Sequence, residues 1–249
     1  MPQNLRFLQA RKVSPMSKYK SICVTALIIC MFLVFTGCSK KEPEYESLEA
    51  ELHAIMQDKI SNPLVMRMDD TSGTSYLYLD DTLSVLYQPS HKKKTITICN
   101  KNKNTNVWST YGYLMKSSEN KYSAYTPKYA VDADAMRADY VTPFVNFTVK
   151  SENEKEKSLQ IVVNFAGADE TWDVRIDNPS FVSFRRTVVP TDIWMYDKTS
   201  GEYPVVLAAV VNEVKAANST MGSLFEARTD DIINPPKKTL LDNIKDLLP

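Results

Sequence analysis

The sequence predicts a mainly β (α+β) domain, an antiparallel β-sandwich or barrel-like sheet with an N-terminal helix and short C-terminal helices. Between residues 62 and 203 the chain has about eight or nine short runs rich in β-branched and aromatic residues, separated by turn residues. Before and after this stretch the apolar residues recur every three to four positions, which is typical of amphipathic helices. Helices at the ends of a series of strands favour antiparallel pairing.

The first element is a helix over residues 47–61. Ser47 is a good N-cap, and Leu48, Leu52 and Met56 recur at helical spacing after it. Pro63 disfavours helical backbone at the residue before it, so the helix is expected to end there.

The clearest hairpin joins residues 74–79 to residues 82–87. Apolar and aromatic residues alternate along both runs, and Asp80 and Asp81 form the turn between them. Residues 150–158 are rich in charge and predict a long solvated hairpin tip. The other predicted strands are 64–68, 95–99, 107–115, 144–149, 159–165, 172–176 and 181–189; residues 122–129 are extended or looped, and residues 132–139 favour a helical turn.

Residues 204–249 predict a mixed helical C-terminal region packed on the same domain. The run at residues 205–217, rich in alanine and valine, fits either a buried helix or a strand that continues into a helix. After Pro235 and Pro236, residues 239–248 predict a short amphipathic helix.

Residues 1–37 have the organisation of an export signal. Lys18 and Lys20 precede an uncharged, largely apolar stretch over residues 21–39. Translation from Met16 would give a more compact leader than translation from Met1. An uncleaved transmembrane anchor is the alternative, because the uncharged stretch is nearly long enough to span a bilayer.

The end of this leader resembles the lipobox of bacterial lipoproteins. Thr36 and Gly37 occupy the small-residue positions before Cys38, and Phe35 stands where the family usually has an aliphatic residue. The resemblance implies cleavage before Cys38 and attachment of lipid to its thiol. Residues 38–46 then form a lipidated tether. Since Ser39 replaces the aspartate that commonly retains such proteins in the inner membrane, the implied location is the outer membrane, facing the periplasm or the surface.

The mature chain is acidic although the whole sequence is neutral. The leader holds five of the 30 basic residues and none of the 30 acidic ones, which leaves 25 basic and 30 acidic residues and a net charge of −5. This balance argues against a nucleic-acid partner, which requires a basic face. With Cys38 lipidated, Cys99 has no disulfide partner and is interpreted as a small core residue.

The sequence contains no recognisable cofactor or metal motif. No two glycines of the mature chain lie close enough together to form a phosphate-binding loop. A histidine-based zinc site or catalytic triad would have to use His53 or His91, and neither has an associated signature. We therefore expect no cofactor, no metal and no histidine-dependent catalysis.

Paired carboxylates remain as a possible basis for glycan hydrolysis, since two acids suffice for that reaction. Each pair falls in an apparent turn, where aspartate is common because its side chain bonds to the backbone. The structural interpretation is therefore favoured. The candidates are Asp69, Asp70, Asp80, Asp81, Asp132, Asp134, Asp169, Glu170, Asp230 and Asp231.

An aromatic cluster is the candidate partner contact. Aromatic rings interleaved with polar residues suit glycans or protein interfaces, but they also suit the core of a sheet. Trp108 must face the opposite side from Tyr111 and Tyr113, so the cluster cannot form a single platform. Its candidate contact residues are Trp108, Tyr111, Tyr113, Tyr122 and Tyr125.

The sequence thus predicts a membrane-anchored, extracytoplasmic and non-enzymatic lipoprotein that acts as a binding or assembly module for a protein or glycan. A carboxylate-dependent glycan hydrolase and a purely structural envelope subunit are the alternatives.

Overall fold

A computed structural model describes residues 45–128, 131–177, 181–197 and 200–234. The leader, Cys38 and the helix predicted over residues 239–248 lie outside these described residues. The helices are α1 (Leu48–Ser61), α2 (Ala133–Tyr140), α3 (Glu202–Ala217) and α4 (Ser219–Ile233), with a 3-10 turn at Thr142–Phe144. The strands are β1 (Leu64–Asp70), β2 (Gly73–Leu79), β3 (Leu83–Gln88), β4 (Thr95–Lys101), β5 (Trp108–Lys116), β6 (Lys121–Tyr125), β7 (Phe147–Asn153), β8 (Ser158–Phe165), β9 (Ala168–Asp177), β10 (Phe181–Arg186) and β11 (Asp192–Tyr196).

The described strands form one open antiparallel sheet in the order β6-β5-β4-β3-β2-β1-β11-β10-β9-β8-β7. Strands β1 to β6 are one meander and β7 to β11 a second, and the two join where β1 pairs with β11. The mainly β, antiparallel prediction is confirmed, but the sandwich or barrel-like arrangement is not. Helices cover the two faces of the sheet in place of a second layer of strands.

Local sequence explains where several elements begin and turn. The Ser47 hydroxyl accepts a hydrogen bond from the Ala50 N–H and caps α1. The Asp80 carboxylate accepts from the N–H groups of Thr82 and Leu83, which closes the β2–β3 turn.

The β8–β9 hairpin turns through only two residues. Ala166 and Gly167 lie between the strands, and both have positive φ. Two-residue hairpins favour this conformation because its twist matches that of the strands it joins.

One face of the sheet, here called the α1 face, is covered by α1, α2 and the 3-10 turn. Its core contains three fully buried aromatic side chains, Phe144, Trp172 and Phe184. The ring of Phe144 lies 4.2 Å from that of Phe184 and 5.0 Å from that of Trp172. This core extends over β7 to β11 and onto β1 and β2.

The opposite face, here called the α3 face, is covered by α3 and α4. Residues 205–217 belong to a single helix, so the alternative of a strand is wrong. Helix α4 was not predicted, because its buried residues include Gly222 and Thr229 beside Phe225 and do not form an apolar stripe. The core on this face takes its strand residues from β1 to β5 and from the end of β11.

The cover of the α3 face is therefore incomplete. In β8, β9 and β10 most residues of the α1 face are buried, whereas the alternate residues, which point to the α3 face, are partly or fully exposed. This alternation is typical of an antiparallel sheet with one solvated face. The α3 face of β8 to β10, together with the adjoining part of β11, is here called the open face.

Several strand boundaries differ from the sequence prediction. The strand predicted over residues 144–149 begins only at Phe147, because Phe144 lies in the 3-10 turn, and β9 begins at Ala168 rather than at residue 172. The strand predicted over residues 181–189 ends at Arg186, because Val188, Val189 and Pro190 lie in an exposed loop before the unpredicted strand β11. The charged tip is shorter than predicted, since β7 and β8 extend into it. Strand β6 covers Lys121–Tyr125, so the first part of the segment predicted over residues 122–129 is extended and paired.

Candidate functional site

The open face contains a groove of about 350 Å³. It lies over β8 to β11, and its volume falls in the range of small-molecule sites. A second depression of about 420 Å³ adjoins it at the end of β8 and β9 and shares Ser158 and Arg175 with it.

Strand register arranges the groove as two rows of side chains that run across the strands. The first, here called the serine–arginine row, contains Ser158, Arg175, Ser183 and Trp194, which are neighbours across β8, β9, β10 and β11. The second, here called the paired row, lies two residues further along each strand. Its members that line the groove are Asp173, Arg185 and Asp192, and Gln160 on β8 continues the row.

The paired row satisfies its own polar groups. Arg185 Nε donates to Asp192 Oδ1 at 2.7 Å, and Gln160 Nε2 donates to Asp173 Oδ1 at 3.0 Å. The hydrogen bond to Asp192 raises the pKa of the Arg185 guanidinium above its usual value. The side chains of this row are therefore hydrogen-bonded to one another.

The serine–arginine row has no such contacts. Within the described residues, no side-chain hydrogen bond or ion pair involves Arg175, Ser158 or Ser183, and the indole N–H of Trp194 has no acceptor. All four side chains are at least partly exposed. Their donors are therefore available to a ligand in the groove.

Arg67 on β1, the strand on the opposite side of β11 from β10, lies against the ring of Trp194. Its guanidinium carbon lies 4.9 Å from the centre of the Trp194 ring, and its Nε donates to Asp69 Oδ1 at 3.1 Å. The hydrogen bond to Asp69 raises the pKa of Arg67, so this group stays cationic. Stacking on an arginine fixes the indole as a rigid wall of the groove.

The structure distributes the sequence-predicted aromatic residues over both faces of the sheet. Tyr113 is buried under the helices of the α3 face, where Asn218 of α4 donates to its hydroxyl. Tyr122 lies on the same face and donates to Glu213 of α3 at 2.8 Å. Tyr111 lies there too, with 42% of its surface exposed.

The other two aromatic candidates lie on the α1 face. Trp108 packs at the edge of that core, beside Lys101 and Asp134. The hydroxyl of Tyr125 is hydrogen-bonded to that of Thr97. The five aromatic side chains therefore do not form a continuous surface, as the alternation of side chains along β5 requires.

Most of the candidate carboxylates have structural partners. Asp70 and Asp80 accept from the backbone of their turns, and Asp132 caps α2 through the Ala135 N–H. Glu170 pairs with Arg186 on β10. Asp69 pairs with Arg67 and Asp134 with Lys101, while Asp169 accepts a hydrogen bond from Asn164 across the β8–β9 hairpin. Asp81 follows Asp80 in the β2–β3 turn. Asp230 and Asp231 lie in α4 rather than in a turn.

The two histidines also make local contacts. The ring of His53 stacks on Phe147 at 4.2 Å. The Nε2 atom of His91 lies 2.9 Å from the hydroxyl oxygen of Ser75, a contact that the sequence did not predict. Ser75 is buried, so this pair offers no nucleophile to a substrate.

The sequence does not predict the groove, because its residues come from four separate strands. One signal was present: in β9 the charged residues Asp173, Arg175 and Asp177 alternate with buried apolar ones. That pattern marks a solvated face, but it does not show which strands lie beside it.

The sequence matches no protein-family model, and no curated protein or solved structure shows significant similarity to it. Across the residues that the structure describes, no group of His, Cys, Asp and Glu side chains is suited to hold a metal ion. No helix in this same part of the chain has both the length and the apolarity needed to cross a bilayer. The function must therefore be inferred from the groove itself.

Proposed function

We propose that this chain is a lipid-anchored, extracytoplasmic binding module of the outer membrane, and that it binds a glycan in the groove of the open face without transforming it. The anchor is inferred from the resemblance of residues 35–38 to a lipobox. The observation that carries the binding function is the serine–arginine row, whose polar groups have no partner within the described residues.

The size and chemistry of the groove favour a glycan over a protein partner. A groove of about 350 Å³ lies in the volume range of small-molecule sites, which also suits a short oligosaccharide. Trp194 offers a flat apolar ring, and Ser183 and Arg175 offer donors beside it. Sugars present both an apolar ring face and many hydroxyl acceptors, so they match this pairing.

A glycan array probed with the full-length protein in detergent tests the binding proposal. We expect binding to a restricted set of glycans, with loss of that binding in Trp194→Ala and recovery of part of it in Trp194→Phe. Tyr111→Ala is the matched control, because Tyr111 is also an exposed aromatic residue but lies outside the groove. Absence of any bound glycan, or equal loss in both alanine variants, would contradict the proposal.

The anchor is tested by the substitution Cys38→Ala. We expect the wild-type chain to fractionate with membranes and to incorporate radiolabelled palmitate, and the variant to lose the label and to stay as an unprocessed precursor. Cys99→Ala is the control, because Cys99 is buried in the sheet and should leave labelling unchanged. Equal labelling of Cys38→Ala and wild type would overturn the lipoprotein proposal.

One observation favours a glycan hydrolase as the second candidate. Asp173 and Asp192 flank Arg185 on opposite sides, two strand spacings or about 9.6 Å apart. This is the distance between their backbones, and carboxylates two strands apart on one face are placed so that a sugar could lie between them. Both carboxylates are hydrogen-bonded within the paired row, which favours binding alone. Release of reducing ends from a bound glycan, abolished in Asp192→Asn, would establish the hydrolase in place of the binding module.

A further inference from the structure

The serine–arginine row has an excess of hydrogen-bond donors over acceptors. The guanidinium of Arg175 carries five N–H donors and no acceptor, and the indole of Trp194 adds one more donor. The hydroxyls of Ser158 and Ser183 flank Arg175 on the neighbouring strands. A ligand that satisfies this row must therefore be rich in acceptors.

Arg175 is also the one side chain of this row with a formal charge. A guanidinium forms its strongest contact as a planar fork with a carboxylate, through two parallel hydrogen bonds. The arginine next to it in the groove, Arg185, is already engaged in this way by Asp192. Arg175 has no such carboxylate partner among the described residues, so a carboxylate on the ligand can take that position.

The spacing of the row fixes where the rest of the ligand lies. Trp194 and Arg175 are separated by β10, so their backbones are two strand spacings, or about 9.6 Å, apart. A ligand longer than one sugar can therefore place a sugar ring on Trp194 and a carboxylate on Arg175. Ser183 lies between the two and faces the link that joins them.

Two carboxylates of the protein lie beside Arg175. Asp173 and Asp177 point to the same face as Arg175 and lie two residues before and after it on β9, at about 6.8 Å along the strand. Each repels an anion bound at Arg175. The contact therefore depends on the fork of hydrogen bonds that the guanidinium offers and not on charge alone.

We infer that the groove is selective for carboxylated oligosaccharides, with the carboxylate held by Arg175 between Ser158 and Ser183 and a neighbouring sugar ring stacked on Trp194. This inference rests on the proposed glycan-binding function and names its ligand class. It makes Arg175 the residue that determines specificity, whereas Trp194 supplies affinity for any sugar.

Isothermal titration of the full-length protein in detergent tests it with matched ligands. The probes are a trisaccharide of uronic acids, a trisaccharide ended by sialic acid, and the methyl esters of both. We expect at least one carboxylated probe to bind at least tenfold more tightly than its own ester. We also expect this affinity to fall as salt is raised.

Variants then locate the preference. Arg175→Gln should reduce the affinity for the acid at least tenfold and leave that for the ester within twofold, so that the preference disappears. Arg175→Lys keeps the charge but not the fork and should recover only part of it. Lys121→Gln removes an exposed cation from β6, outside the groove, and should change nothing. Arg175 is exposed, so none of these effects requires a change in folding.

Two results would overturn the inference, and they separate it from the proposed function. If the esters bind as tightly as the acids through Trp194, the groove binds glycans without selecting a carboxylate, and only the inference fails. If neither acids nor esters bind, the inference and the glycan-binding function fail together. A preference for the acid that survives in Arg175→Gln would place the recognition elsewhere in the chain.

Discussion

Replacing Glu213 by glutamine should weaken the attachment of α3 to the sheet in a manner that depends on pH. Lys94 Nζ donates to Glu213 Oε1 at 2.9 Å, and the Tyr122 hydroxyl donates to Oε2 at 2.8 Å. Burial by itself raises the pKa of the Glu213 carboxyl, but these two hydrogen bonds and the charge of Lys94 outweigh it and hold the pKa below its usual value. The ionised form is therefore stabilised by folding.

The size of the effect follows from these contacts. A hydrogen bond to a charged group contributes about 1.5–3 kcal/mol. Glutamine can still accept from Lys94 but cannot accept from Tyr122 with its amide nitrogen. The side chains of Lys94 and Glu213 are each 28% exposed, which weakens their ion pair. We expect Glu213→Gln to reduce the free energy of unfolding by about 2 kcal/mol at neutral pH.

The sign of the pH dependence follows from the direction of the shift. Because the pKa of Glu213 is lower in the folded state, its stabilisation is fully present above the pKa of the unfolded chain. It is lost as the pH falls through the folded pKa. The difference in stability between wild type and Glu213→Gln should therefore shrink steadily as the pH is lowered below the ordinary value for glutamate.

Urea denaturation at neutral and acid pH measures this difference. Glu226→Gln is the control: Glu226 pairs with Lys215 between the two helices of the α3 face, but its side chain is 48% exposed. This substitution should cost less than about 0.5 kcal/mol. Equal loss of stability in both variants, or a Glu213→Gln difference as large at acid pH as at neutral pH, would show that the ionised Glu213 does not stabilise the fold in this way.

Two further predictions concern packing. Phe144→Ala should cost about 3–5 kcal/mol in urea denaturation, because Phe144 is fully buried and packs against Trp172; a cost under about 1 kcal/mol would show that this core is not close-packed. Gly222→Ala should lower the melting temperature although alanine favours helices, because the added Cβ would lie 2.5 Å from the Cα of Lys215. Gly201→Ala, where the added Cβ has no neighbour within 4 Å, is its control, and equal melting of the two variants would contradict close packing of α3 on α4.

The elements that could be predicted are those fixed by local sequence. The cap at Ser47 and the turn at Asp80 depend on side chains that bond to backbone groups two or three residues away. These local signals made α1 and the β2–β3 hairpin predictable from the sequence. Strand β11 and helix α4 carry weaker local signals: β11 is short, and α4 buries a glycine and a threonine.

The arrangement of the strands could not be predicted, because it depends on contacts distant in sequence. Alternation along β8, β9 and β10 indicates one buried and one solvated face, and both a sandwich and a single sheet satisfy that pattern. Only the pairing of β1 with β11 decides between them, and these strands lie more than a hundred residues apart.

The candidate site was missed for the same reason. The sequence predicted a partner contact at aromatic residues grouped along the chain, from Trp108 to Tyr125. The structure places these residues on two faces of the sheet. Trp194 and Arg175 are distant in sequence from that group and gave no motif. They become neighbours of one groove only through the register of β9, β10 and β11.

A crystal structure of the protein with a carboxylated trisaccharide would show whether the open face is the ligand-binding surface. We expect a sugar ring over Trp194, with the ligand carboxylate on the guanidinium of Arg175 and the paired row unchanged. A ligand bound on the aromatic residues of β5 and β6, with the groove of the open face empty, would contradict this expectation.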